Sequence, residues 1–222
     1  MTAPYWSDGQ VTLYLGDCRA VTEWLAADVL VTDPPYGRKS QPRRNPQTGL
    51  IYNPDRIAGD ESTAIRDAAL ELWRGRLGVV FGDLMLAPAP GTKKVLVYRK
   101  PYSGALGSIN GFRHDIEAVY LTGPWPAGFG GQSSVLVSGA RTLGNMQTGV
   151  VNRYGHPHAK PVDVMETLAA ACPDGTIADP FTGSGSTLVA ARNLGRRAIG
   201  VEIDERHAEK AARRLSQMVL TA

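Results

Sequence analysis

Only two cysteines occur in the chain, Cys18 and Cys172. Two thiols can neither staple a disulfide scaffold nor complete a four-cysteine zinc site, and their scarcity suits a reducing compartment. No apolar run reaches the roughly 18 residues that a membrane-spanning helix needs. The opening Met1-Thr2-Ala3-Pro4-Tyr5-Trp6-Ser7-Asp8 has no basic stretch followed by an apolar one, so no secretory signal is expected. There is no internal repeat. His156 and His158 stand close together but without cysteines or a carboxylate cluster beside them, so no metal is expected.

What is present describes one folded α/β unit. A length of 222 residues is comfortable for a single domain over residues 1–222 and tight for two. Apolar residues make up 43% and charged residues 20%, which argues against global disorder. The net charge of +3 permits a polyanionic partner without establishing one. Strand-like runs at 11–15, 29–32, 78–81, 95–98, 116–121, 176–178 and 198–203 alternate with helical stretches at 20–27, 62–76, 162–171, 186–195 and 205–218. That alternation predicts a mainly parallel sheet with helices on both faces. Residues 37–61 and 123–153 are rich in glycine, proline and polar residues and lack periodicity. The first reads as a long loop of the kind that binds or covers ligands.

The most informative stretch runs from Thr176 to Glu202. A strand ends in Asp179-Pro180-Phe181, and Thr182-Gly183-Ser184-Gly185-Ser186 then opens a helix. Glycines let the backbone turn sharply and approach a ligand, while the helix N-terminus presents free N–H groups. The next strand ends at Glu202, placed to accept from a ribose diol. No lysine follows Gly185, so a P-loop is excluded, and Leu188 stands where a dinucleotide fingerprint needs its third glycine. An acidic residue at Asp179 favours a cationic ligand over a pyrophosphate. S-adenosylmethionine meets these demands, carrying a ribose, an adenine, a sulfonium and an amino-acid end without phosphate.

A second constellation is Asp33-Pro34-Pro35-Tyr36 at the end of the apolar run Val29-Leu30-Val31-Thr32. Two prolines fix φ and remove two N–H donors, leaving the Asp33 and Pro34 carbonyls free to accept. A base amine that donates one hydrogen to the Asp33 carboxylate and one to the Pro34 carbonyl is pushed toward tetrahedral geometry. Its lone pair then becomes available. Tyr36 offers a flat face for a base taken out of the helix.

Together these two motifs resemble those of the amino-methylating DNA methyltransferases, specifically the permuted β group, in which the Asp-Pro-Pro-Tyr motif precedes the cofactor loop. The resemblance spans nearly the whole chain, from Leu15-Gly16-Asp17-Cys18 to Gly200-Val201-Glu202-Ile203-Asp204. It implies a Rossmann-like, S-adenosylmethionine-dependent methyltransferase fold and catalysis through Asp33, Pro34, Pro35 and Tyr36. It further implies that Asp17 accepts from the cofactor adenine beside the Cys18 backbone, and that Glu202, next to Ile203, holds the ribose. Lys160 and Pro161, in Tyr154-Gly155-His156-Pro157-His158-Ala159-Lys160-Pro161, lie by the same resemblance near the methionine end, as does Phe181.

The activity so implied is adenine-specific methyl transfer to N6 in double-stranded DNA, by base flipping and direct in-line attack. Asp at the first motif position favours adenine over N4 of cytosine by resemblance alone. An RNA or protein methyltransferase and an inactive DNA-binding homologue stay open as alternatives. Arg38, Lys39, Arg43 and Arg44 suit phosphate contacts. Arg141 and Arg153, with Asn145, Gln147 and Asn152, are polar groups suited to base edges. By the same resemblance, residues 123–153 stand in the place of a target-recognition insert, here a short one. The resemblance also implies a cytoplasmic protein of bacterial or phage origin, and leaves open a homodimer and a cognate restriction endonuclease.

Overall fold

The structure, a computed structural model, describes residues 2–38, 43–44, 51–52, 58–100, 115–126, 131–139 and 159–219. A nine-stranded sheet organises it. In chain order the strands are β1 (Trp6–Ser7), β2 (Val11–Leu15), β3 (Val29–Thr32), β4 (Arg43–Arg44), β5 (Ile51–Tyr52), β6 (Gly78–Gly82), β7 (Thr92–Arg99), β8 (Ile116–Thr122), β9 (Val135–Val137), β10 (Ile177–Asp179) and β11 (Ala198–Glu202). The helices are α1 (Ala64–Trp73), α2 (Val162–Ala170), α3 (Ser186–Asn193) and α4 (Glu205–Val219). Across the large sheet the order is β1-β2-β11-β10-β3-β6-β8-β7-β9, with β4 and β5 paired separately. Strands β2, β11, β10, β3 and β6 run parallel, whereas β8 is antiparallel to both β6 and β7.

The central strands explain their own sequences. All four residues of β3 and all five of β6 are buried, so neither alternates with polar residues. Successive side chains instead point to opposite layers. Val29, Val31, Val79 and Phe81 pack with Met165, Leu168, Leu188 and Leu215 of α2, α3 and α4. Leu30, Val80, Ala178 and Val201 pack with Trp24, Leu70 and Trp73 on the other face. There the rings of Trp24 and Trp73 stack at 5.7 Å between centroids, and each indole N–H is satisfied by a carbonyl, Cys18 and Leu77 respectively. The expected Rossmann-like layering, with helices on both faces of a mainly parallel sheet, is what the chain forms.

Several local expectations need correction. The helix expected over 20–27 is a single 3-10 turn, Glu23–Ala26. Between β2 and β3 the chain must cross two intervening strands in thirteen residues. A turn at 18–20 precedes the 3-10 turn, which Trp24 pins through its indole N–H on the Cys18 carbonyl. The helix expected from Ser62 to Arg76 begins at Ala64, with Thr63 at its N-cap, and ends at Trp73, because Arg74 turns left-handed at φ 55°. Within the stretch expected to be loop alone, Arg43–Arg44 pairs antiparallel with Ile51–Tyr52.

Gly200 in β11 shows how closely α3 seats on the sheet. A Cβ placed there meets Thr182 Oγ1 at 2.4 Å and Leu188 Cδ1 at 2.8 Å. Gly200→Ala is therefore expected to cost about 1–3 kcal/mol of stability through overpacking. Urea unfolding of the variant beside the parent checks this.

Candidate active site

Parallel strands deliver their carboxyl ends to one edge of the sheet, and the polar residues singled out above collect there. β2 leads into Asp17, β11 ends at Glu202, β10 at Asp179, and β3 leads into Asp33. β8 runs the other way, so its beginning, with Glu117, lies at the same edge, as does the residue after β7, Lys100. β3 and β10 are neighbours. Asp33-Pro34-Pro35-Tyr36 and the glycine turn therefore leave adjacent strand ends, although more than 140 residues separate them in the chain. Thr32 ties the two by donating to Asp179 Oδ1 at 2.7 Å.

Asp33 is held from two sides. Tyr36 Oη donates to Oδ1 at 2.8 Å, and the Lys160 ammonium lies 2.6 Å from Oδ2. Lys160 is also 3.3 Å from Glu117 Oε2, and Lys100 reaches Glu117 Oε1 at 2.6 Å. The Lys160 ammonium sits 5.0 Å from the centroid of the Phe81 ring and 5.5 Å from that of Tyr36, within range of cation–π attraction. Burial of Lys160 disfavours its charge, but Asp33 and Glu117 outweigh it and raise the ammonium above its ordinary value. Burial likewise pushes the Glu117 carboxyl up, and Lys160 and Lys100 prevail, holding it well below the usual carboxylate range. The Tyr36 hydroxyl is raised by burial and by the two carboxylates, so it stays a donor. The cluster thus balances one buried carboxylate, Glu117, and one half-buried, Asp33, against two ammonium groups.

The glycine turn is a second cradle. Gly183 has φ +52°, and a Cβ built on it meets no atom within 4 Å. Its N–H donates to Glu202 Oε2 at 2.7 Å, while Asp204 N–H donates to Oε1 at 2.9 Å. Burial raises the Glu202 carboxyl, and those two N–H groups counter it. Thr182 Oγ1 donates to the Asp179 carbonyl. Arg214 of α4 donates to the Ser184 carbonyl at 2.7 Å and reaches the hydroxyls of Ser184 and Ser186, which fixes the turn from behind. Pro180 is buried, Phe181 half-buried, and Gly185, at φ +85°, precedes the first turn of α3. Ile203 is 50% exposed beside this cradle. Asp17 also faces this edge, its carboxylate bound by Arg19 Nε at 2.9 Å, and the buried Cys18 gives its carbonyl to Trp24.

Lys160, expected at the methionine end of a cofactor, pairs with Asp33 and Glu117, and Pro161 immediately precedes α2. Arg38 is bound to Asp83 and lies 6.0 Å from the Tyr36 ring centroid. Lys39, Arg141 and Arg153, the side chains of Arg43 and Arg44, and residues 154–158 lie outside the described residues. Glu117 and Lys100 were not anticipated. The available signal was a lone carboxylate in Ile116-Glu117-Ala118-Val119-Tyr120-Leu121, where the strand period puts Glu117 on the same face as the core residue Val119. A buried acid in such a strand demands partners.

A sequence profile of DNA methylases of the N6/N4 kind matches residues 88–213, more than half of the chain and including the glycine turn. The chain belongs to the N6/N4 DNA methylase family. "Putative methylase YubD" of Escherichia coli (strain K12) is 28% identical to this methylase over 226 aligned positions, covering 90% of this chain and 88% of the relative. The Type II methyltransferase M.ScaI of Streptomyces caespitosus is 45% identical over 67 residues, a local match covering 29% of this chain and 22% of M.ScaI. Among solved structures, M1.HpyAVI in complex with SAM shares the fold at TM-score 0.62 and 17% identity, over 92% of this methylase and 99% of that chain. The PvuII DNA methyltransferase (cytosine-N4-specific) aligns at TM-score 0.64 and 15% identity, over 95% and 88%.

Asp179 supplies a pH test of this edge. Burial pushes its carboxyl from 3.8 up to about 6, against hydrogen bonds from Thr187, Thr32 and the Phe181 N–H. The folded state therefore holds a proton that the unfolded chain has released, and stability falls as pH rises from about 4 to about 6. Asp179→Asn is expected to flatten that part of the curve, as read from urea unfolding at stepped pH.

Proposed function

We propose that this methylase transfers a methyl group from S-adenosylmethionine to the N6 amine of adenine in double-stranded DNA. The observation that carries the reading is the adjacency of two unlike cradles, the proline-fixed Asp33 cluster and the glycine turn, on the neighbouring ends of β3 and β10. A donor bound at one lies beside an acceptor held at the other, which is the arrangement that direct transfer needs.

The residues of the turn suit the cofactor. Open space at Gly183 lets a ligand approach the backbone, and Glu202 offers a buried carboxylate for ribose hydroxyls. Asp17 and the Cys18 backbone take the adenine side. Asp179, Pro180, Phe181 and the residues from Thr182 to Ser186 shape the methionine side, with Lys160 and Pro161 flanking it. When bound, the cofactor supplies an electrophilic methyl group on a sulfonium.

The chain's own residues do the rest. Asp33 and the Pro34 carbonyl accept the two hydrogens of the extruded amine and direct its lone pair, Pro35 fixes the turn, and Tyr36 stacks on the base. Negative charge at Asp33 offsets the positive charge that develops on the attacking nitrogen. No covalent intermediate on the enzyme is required. The cysteines accord with that, since burial pushes both Cys18 and Cys172 thiols up to about 12, where neither is a thiolate at neutral pH. Arg38, with Lys39, Arg43, Arg44, Arg141 and Arg153, is assigned to the nucleic acid.

Asp33→Ala is expected to abolish transfer of labelled methyl to unmethylated plasmid DNA while leaving the calorimetric affinity for S-adenosylmethionine within about threefold. Equal loss of both would refute the division between acceptor and donor sites. Mass spectrometry of digested product DNA is expected to show N6-methyladenine, and N4-methylcytosine in its place would reassign the base. Lys39→Ala is expected to weaken DNA binding evenly across sequences and to lower the slope of log affinity against log salt by about one.

A further inference from the structure

The two donors that hold Asp33 share a second acceptor. Tyr36 Oη is 2.8 Å from Asp33 Oδ1 and 3.4 Å from Glu117 Oε2. Lys160 Nζ is 2.6 Å from Asp33 Oδ2 and 3.3 Å from that same Glu117 oxygen. Lys100 holds the other oxygen of Glu117 at 2.6 Å, so the carboxylate is fixed with Oε2 facing the donors. A shift of well under an ångström carries either donor from Asp33 to Glu117.

This matters because both oxygens of Asp33 already carry strong donors. An incoming amine must find lone pairs on a carboxylate whose electron density is drawn toward an ammonium and a phenol. Moving those donors into water is no solution, since the Lys160 side chain is only 9% exposed and that of Glu117 only 7%. A buried charge left without a partner is costly.

We propose that Glu117 is a positioning residue for the methyl transfer: it receives Lys160 and Tyr36 as Asp33 turns to the base amine. The proposal rests on Asp33 being the amine acceptor. The partners of Glu117 are Tyr36, Lys100 and Lys160, so its part in the transfer runs through them. It acts by keeping two donors satisfied while Asp33 changes partners, and its negative charge keeps Lys160 from settling wholly on Asp33. Sequence motifs give no hint of it, because the residue lies in a plain β-strand more than 80 positions from the motif it serves.

The test uses the full chain, unmethylated plasmid DNA and tritium-labelled S-adenosylmethionine in single-turnover assays, with cofactor affinity by calorimetry and folding by thermal unfolding. E117Q keeps the shape and removes the charge. Its transfer rate is expected to fall roughly tenfold to a hundredfold, the worth of one hydrogen bond to a charged group. Cofactor affinity and the KM for DNA are expected to stay within about threefold. E117D, whose carboxylate stops one carbon short, is expected to recover part of the rate. E117Q transferring at the wild-type rate overturns the proposal, as does a rate loss matched by an equal loss of cofactor affinity. Should E117Q not fold, E117D at the wild-type rate overturns it. A wild-type protein that transfers no methyl group fells the methyltransferase reading and Glu117 with it. An active wild type beside a fully active E117Q fells Glu117 alone.

Discussion

Two carboxylates, the half-buried Asp33 and the buried Glu117, share the ammonium of Lys160, and the site is organised around that shared charge. Burial alone disfavours the charge of Glu117 and of Lys160, and their pairing outweighs it in both. Lys100 at one end and Tyr36 at the other complete the set of donors. The result is a polar cluster with strongly preferred geometry at the end of an otherwise apolar sheet. In a low-dielectric setting each member fixes the others.

The sheet makes that cluster possible. β3 contributes Asp33, β8 contributes Glu117, the chain beyond β7 contributes Lys100, and the residue two before α2 contributes Lys160. β8 brings its glutamate to the carboxyl edge only because it runs antiparallel to β6. On the opposite flank β10 and β11 bring the glycine turn and Glu202 to the same edge. The catalytic motif comes first in the chain and the cofactor turn last. The strand order β11-β10-β3-β6 erases that distance.

Much of this was legible in the sequence. Gly183 and Gly185 before a helix, an acid ending each flanking strand, and two prolines behind Asp33 are local patterns, and local backbone chemistry dictates them. The all-apolar runs of β3 and β6 announce strands covered on both faces. Less was legible where long-range packing decides. The segment at 20–27 has the composition of a helix but is drawn into a single turn by the crossing it must make. Arg38 reads as suited to phosphate, and no pattern along the chain announces that Asp83, just after β6, binds it. The place of Lys160 in a motif puts it beside the methionine end by resemblance, but says nothing of the two acids its ammonium meets.

The amino-acid sequence by itself determined the elements, the parallel layering and the two motifs, because strand and helix periods and turn chemistry act over a few residues. Only the tertiary structure decided which charges meet. Ion pairing depends on distances across the sheet edge, and no spacing along the chain reports that Glu117, Lys160 and Asp33 share one small volume.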